Sequence, residues 1–185
     1  MIKTNSVLKP LFCSFLILFL SAGVLHAQEK TKVIGNKARN GSSNSTISVI
    51  KGNQLGIKMS AGSKPVELIN LSFGVDNRSK ESLKFKVNVY EFNGILSGEN
   101  YVKKDIIGAI PTGKNRVSVD LEPFHIEVKK DLLVTIEWLE TLSGPNPGFA
   151  IGVFNGGSYE FKEGKWKRVP VFGYDFNMLV KKLKK

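Results

Sequence analysis

A strict two-residue alternation narrows the fold of this chain more than any other feature. Between positions 83 and 90, Leu83, Phe85, Val87 and Val89 are apolar, while Lys84, Lys86, Asn88 and Tyr90 carry polar groups. Successive side chains of an extended backbone point to opposite faces, so this pattern reads as a strand with one buried and one wetted face. The same period recurs in Val117-Ser118-Val119-Asp120-Leu121 and in residues 132–139, where Leu132, Val134, Ile136 and Trp138 share a face. Trp138 is therefore expected in the core. Residues 67–75 form another expected strand, and shorter ones are expected at 55–59, 106–110, 149–154, 157–161, 166–169 and 174–180. The breaks between them are turn chemistry, such as Asn93-Gly94, Pro111-Thr112-Gly113 and Glu163-Gly164. No segment shows an amphipathic helix of three turns. Eight to ten short strands at turn spacing predict an all-β protein, a two-sheet antiparallel β-sandwich of jelly-roll type.

The N-terminus reads as a secretory leader. Lys3 and Lys9 precede the apolar run Leu11 to Leu20, and small residues follow at Ser21, Ala22, Gly23 and Ala27. That order predicts a signal peptide over 1–27, cleaved after Ala27 or, alternatively, after Gly23. The run is too interrupted for the ~20 apolar residues of a membrane span, so no transmembrane helix is expected after processing. The single cysteine, Cys13, leaves with the leader, so the exported chain has no thiol, disulfide or thiolate metal site. Residues 28–45 are polar and read as a linker or weak first strand. The β domain is expected over 46–180 and a basic tail over 181–185.

Charge adds a hint about partners. The full chain carries 27 Lys+Arg against 16 Asp+Glu, a net of +11; losing Lys3 and Lys9 leaves +9. The C-terminal part is the most basic, with Lys162, Lys165, Lys167, Arg168, Lys181, Lys182, Lys184 and Lys185 against Glu163 and Asp175. Such an end either contacts an anionic surface peripherally or is a solvated tail. Nucleic acid is not expected, because an exported chain without an aromatic-rich binding motif lacks the usual footprint.

The order of these strands carries a resemblance. Phe85-Lys86-Val87-Asn88-Val89-Tyr90-Glu91 is followed by Asp105-Ile106-Ile107, Val117-Ser118-Val119-Asp120-Leu121, Ile126-Glu127-Val128 and Leu133-Val134-Thr135-Ile136-Glu137-Trp138. This series resembles exported bacterial β-sandwich domains of unknown function that often follow a carboxypeptidase-regulatory-like domain in envelope proteins. The resemblance spans roughly residues 50–180 and rests on core strands. It implies an exported envelope β-sandwich and carries no chemistry.

Catalytic chemistry has little to work with. After cleavage His125 is the sole histidine, in Phe124-His125-Ile126, and no Gly-x-Ser-x-Gly turn supplies a nucleophile for it. It is expected on the outer face of a short strand. One histidine and no cysteine cannot seed a zinc site, and no Asp-x-Asp-x-Asp-Gly loop marks a calcium site. Glu137 and Glu140 could pair as glycosidase carboxylates, but a solvated strand end is the plainer reading. No enzyme activity, cofactor or metal is expected.

Aromatic residues beside basic ones are the feature that bears on function. Trp166 lies between Lys165 and Lys167, with Arg168 following, and Tyr159 and Phe161 stand on the opposite arm of the same hairpin. Trp166, Tyr159, Lys165, Lys167 and Arg168 form the candidate ligand-binding group. An exposed ring there can stack on a sugar or take a cation–π contact; the competing reading is a cross-strand pair that closes one end of the fold. The expected function is an exported, envelope-associated, non-catalytic module that binds glycan or a protein partner. The alternatives are a structural subunit of an envelope assembly and, more distantly, a hydrolase. Periplasm, cell surface and medium are equally open as destinations.

Overall fold

The computed structural model describes residues 30–38, 43–94, 97–153 and 155–183. The expected leader over 1–27, the strand end at Phe154 and the last two lysines lie outside the described residues. The described chain is all-β, with one 3-10 turn at Glu122–Phe124. Its strands are β1 (Thr31–Gly35), β2 (Asn44–Thr46), β3 (Gln54–Asn77), β4 (Leu83–Phe92) and β5 (Ser97–Asn100). They continue with β6 (Ile106–Ile110), β7 (Gly113–Asp120), β8 (Glu127–Trp138) and β9 (Gly148–Val153). The last four are β10 (Ser158–Lys162), β11 (Lys165–Val169), β12 (Phe172–Tyr174) and β13 (Phe176–Lys182).

These strands exceed the expected eight to ten, and their pairing does not divide into two sheets. All 13 belong to one open, antiparallel hydrogen-bonded sheet. The reason lies in β3. Two strands expected at 55–59 and 67–75 are one strand of 24 residues, carried through Ala61-Gly62-Ser63-Lys64-Pro65 by register shifts against β8. Bulges of this kind bend a strand without ending it. The first half of β3 lies between β8 and β10, and the second half between β7 and β13.

The bend folds the sheet over on its apolar face. Phe85 pairs in register with Trp138, and Gln54 with Glu137, so Phe73 stands 19 residues farther along β3. A straight strand would carry it ~60 Å away. Instead the Phe73 and Phe85 ring centroids are 5.6 Å apart, and Phe73 also stacks on Phe176 at 4.8 Å and Phe149 at 5.9 Å. The alternating residues Leu83, Phe85, Val87 and Val89, with Leu132, Val134, Ile136 and Trp138, are all buried there as expected.

Both ends of the described chain also join the sheet. The polar segment before 46, read as a linker or weak first strand, contributes β1, which pairs with β13, and β2, which pairs with β9. Lys181 and Lys182, expected in the basic tail, continue β13 against Thr31, Glu67 and Val66. Lys181 Nζ stands 3.7 Å from a Glu67 carboxylate oxygen. A lysine at a strand end can be held by a partner that lies far away in sequence, which composition alone does not reveal. No helix among the described residues is long and apolar enough to cross a membrane.

Candidate functional site

The outer face of the sheet, opposite the core, is built by the wetted half of the alternation. Register places Lys86, Glu137, Gln54, Phe161 and Trp166 side by side across β4, β8, β3, β10 and β11. The next row is Asn88, Thr135, Gly56, Tyr159 and Arg168. Tyr90, Leu133 and Lys58 form the row after that.

This face curls strongly. Four strand spacings separate β4 from β11, ~19 Å on a flat sheet. Yet the Tyr90 and Trp166 rings meet edge to face at 6.1 Å, and Phe92 meets Tyr159 at 5.4 Å. The β10–β11 hairpin therefore folds inward over the face. Gly56 permits it: a Cβ there would stand 1.9 Å from the Val134 carbonyl oxygen and 2.7 Å from Thr135 Cα. Only glycine allows β3 and β8 to approach so closely beneath Tyr159.

Under the rings lies a polar network. The Gln54 side-chain oxygen accepts from Thr135 Oγ1 at 2.8 Å, Tyr90 OH at 3.3 Å and Asn88 Nδ2 at 3.4 Å. Asn88 Nδ2 also donates to Glu137 at 3.0 Å, and Asn100 Nδ2 donates to the Asn88 oxygen at 3.0 Å. Lys86 Nζ lies 3.6 Å from Glu137. Asn88 and Thr135 are buried, whereas Gln54, Lys86 and Glu137 stay half-exposed. Burial raises the Tyr90 hydroxyl pKa above the ordinary tyrosine value, partly offset by the Gln54 hydrogen bond. Leu133 is buried on this side at 1% exposure, apart from the main core, beneath the aromatic arms.

The structure separates the expected binding group. Trp166, Tyr159 and Arg168 share the outer face. Lys165 and Lys167 alternate to the opposite side, in register with Lys162 and Glu160, so they do not flank Trp166 on its own face. Trp166 and Phe161 are a cross-strand pair with centroids 5.2 Å apart, and both remain half-buried. Trp166 is thus both a cross-strand partner and partly open to solvent. Sequence reasoning missed Gln54, Asn88 and Phe92, and it considered Glu137 only as a partner of Glu140. The available signal was an asparagine and a tyrosine at outward positions of β4.

His125 is not on a strand. Pro123 sets the 3-10 turn, and His125 follows it in the left-handed region at φ 47°. Its Nδ1 lies 2.9 Å from Glu67 Oε1. The imagined carboxylate pair is engaged elsewhere: Glu137 in the outer network, and Glu140 as acceptor of the Lys84 amide at 2.8 Å.

No family model and no curated protein matches the sequence. Among solved structures, the chain is similar to that of the cysteine protease and lectin-like domains of Cwp84, a surface layer associated protein of Clostridium difficile. The two share 11% identity at a TM-score of 0.59, over 83% of this chain and 36% of that one. The chain thus spans about a third of the Cwp84 chain, and at this identity the likeness is one of fold: an open antiparallel β architecture shared with a chain that contains a lectin-like domain.

Proposed function

We propose that this protein is a non-catalytic, exported module of the bacterial envelope that binds glycan on the curled outer face of its sheet. The carrying observation is the gathering of Trp166, Phe161, Tyr90, Tyr159 and Phe92 beside Gln54, Asn88 and Glu137. Half-exposed rings offer apolar surface to the C–H face of a sugar, while amide and carboxylate groups select its hydroxyls. Arg168 lies next to Tyr159 on this face and can add a charged hydrogen bond. The fold shared with a chain holding a lectin-like domain supports the reading, as does the leader expected over 1–27. Cell-surface or periplasmic residence belongs to the same proposal.

The competing role, a structural subunit that recruits a partner by strand addition, has less support. Among the described residues β11 pairs only with β10, and it carries Lys165, Lys167 and Arg168, charges that discourage edge pairing. A glycan array with the exported protein tests the proposal. Saturable signal that disappears in Trp166→Ala and is retained in Trp166→Phe supports it. A blank array, with an envelope protein co-purifying instead, would transfer the function to assembly. Binding that survives Trp166→Ala would remove the outer face from the mechanism.

A further inference from the structure

A second concave feature has no part in the outer face and shares no residue with it. It is a cleft of about 330 Å³ lined by Tyr101, Val102, Lys103 and Lys104 from the β5–β6 link, by Pro123, Phe124, His125 and Ile126 from the β7–β8 link, and by Glu127 at the start of β8. Both walls are tethered. The Tyr101 amide donates to the Val89 carbonyl at 2.7 Å, the Val102 amide to Asn100 Oδ1 at 3.0 Å, and the Leu68 amide to the Ile126 carbonyl at 2.9 Å. Ile126 is buried, and Tyr101 and Val102 pack on the core. The cleft is preformed, at the small end of the range that holds small-molecule ligands.

His125 is the unusual member of the lining. It sits in the left-handed backbone region, which is uncommon for a residue with a side chain. Its Nδ1 is fixed by Glu67, a carboxylate only 8% exposed that Lys181 also approaches. With Nδ1 hydrogen-bonded to that carboxylate, Nε2 is the nitrogen left for a ligand, as in sites where a carboxylate orients an imidazole. The ring itself is 79% exposed.

The charges of the lining differ in availability. Lys103 Nζ is taken by Glu99 at 2.5 Å. Lys104 makes no ion pair among the described residues, and Glu127 is the acid of the lining. Apolar surface comes from Tyr101 and from Phe124, which is 36% exposed. A ligand that uses all of these groups has an anionic group, hydroxyls and an apolar face.

We propose that this cleft binds an acidic sugar unit, a pyranose bearing a carboxylate. Lys104 meets the carboxylate, His125 Nε2 and Glu127 accept from ring hydroxyls, and Tyr101 and Phe124 flank the ring. The site is independent of the outer face. Its test is an isothermal titration of the exported protein with sodium glucuronate, glucose and sodium acetate. Glucuronate should bind saturably, roughly tenfold or more tighter than either control. Lys104→Ala and His125→Asn should each weaken it severalfold, while Trp166→Ala leaves it unchanged. Asparagine tolerates the left-handed backbone, so His125→Asn keeps the turn, and an unchanged melting temperature checks that it does. Glucose binding as well as glucuronate would overturn carboxylate recognition, and acetate binding as well would overturn recognition of the sugar. Absent binding, or binding unmoved by both cleft variants, overturns the site. Binding abolished only by Trp166→Ala would place the acidic sugar on the outer face and likewise overturn the cleft.

Discussion

Replacing Trp138 tests the packing of the fold more directly than any other change. The indole is 1% exposed, lies in register with Phe85 and meets the Phe149 ring edge to face at 6.0 Å. A buried aromatic removes about 150–250 Å² from water, which at ~25 cal/mol per Å² is roughly 4–6 kcal/mol. Compactness of the unfolded chain lowers that figure, and large-to-small core substitutions of this kind cost about 3–5 kcal/mol. For a chain of this size each kcal/mol moves the melting temperature by about 2–4 °C, so Trp138→Ala should melt roughly 6–20 °C lower. Trp138→Phe behaves differently. The indole Nε1–H finds no acceptor among the described residues, and an unpaired buried donor costs about 1–3 kcal/mol. Phenylalanine loses ring area but removes that donor, so its cost should stay within about 1.5 kcal/mol. Paired thermal and urea melts decide the matter. An Ala variant that melts with the wild type, or a Phe variant as unstable as Ala, would refute the reasoning.

Gly56→Ala should destabilise the chain by at least about 1–3 kcal/mol, because the new methyl meets β8 backbone and not a side chain that can move; a denaturant midpoint equal to wild type would disprove the close approach. Tyr90 and Tyr174 have hydroxyl pKa values raised above the ordinary 10.0, chiefly by burial, with Glu160 adding to the effect at Tyr174. Their folded values exceed the unfolded one, so the stability they contribute is complete below pH 10 and falls as the pH rises toward the folded values. Tyrosinate absorbance should therefore lag behind that of free tyrosine and rise cooperatively on alkaline unfolding, whereas simple titration of every tyrosine near pH 10 would contradict it. Mass spectrometry of the exported protein should find an N-terminus near Gln28, and a chain beginning at Met1 would remove the leader from the account.

What the sequence determined by itself was local. A period of two needs only neighbours in the chain, so the inward residues of β4, β7 and β8, including Trp138, could be named from their spacing. The hairpin at Glu163-Gly164 was legible for the same reason, since turn residues act over a few positions. Pairing across the chain was not. Whether Ala61 to Pro65 ends a strand or merely bends it depends on β8 lying alongside, 60 to 70 residues away. That one bend turned two expected strands into one and an expected pair of sheets into a single folded sheet. The site divides along the same line. Alternation within β11 already sets Lys165 and Lys167 on the opposite face from Trp166, a consequence that counting basic residues along the chain obscures. Only tertiary structure brings Trp166 to Tyr90, Tyr159 to Phe92 and His125 to Glu67, because curling of the sheet and closure of long loops are set by the whole set of packed partners and not by any one segment.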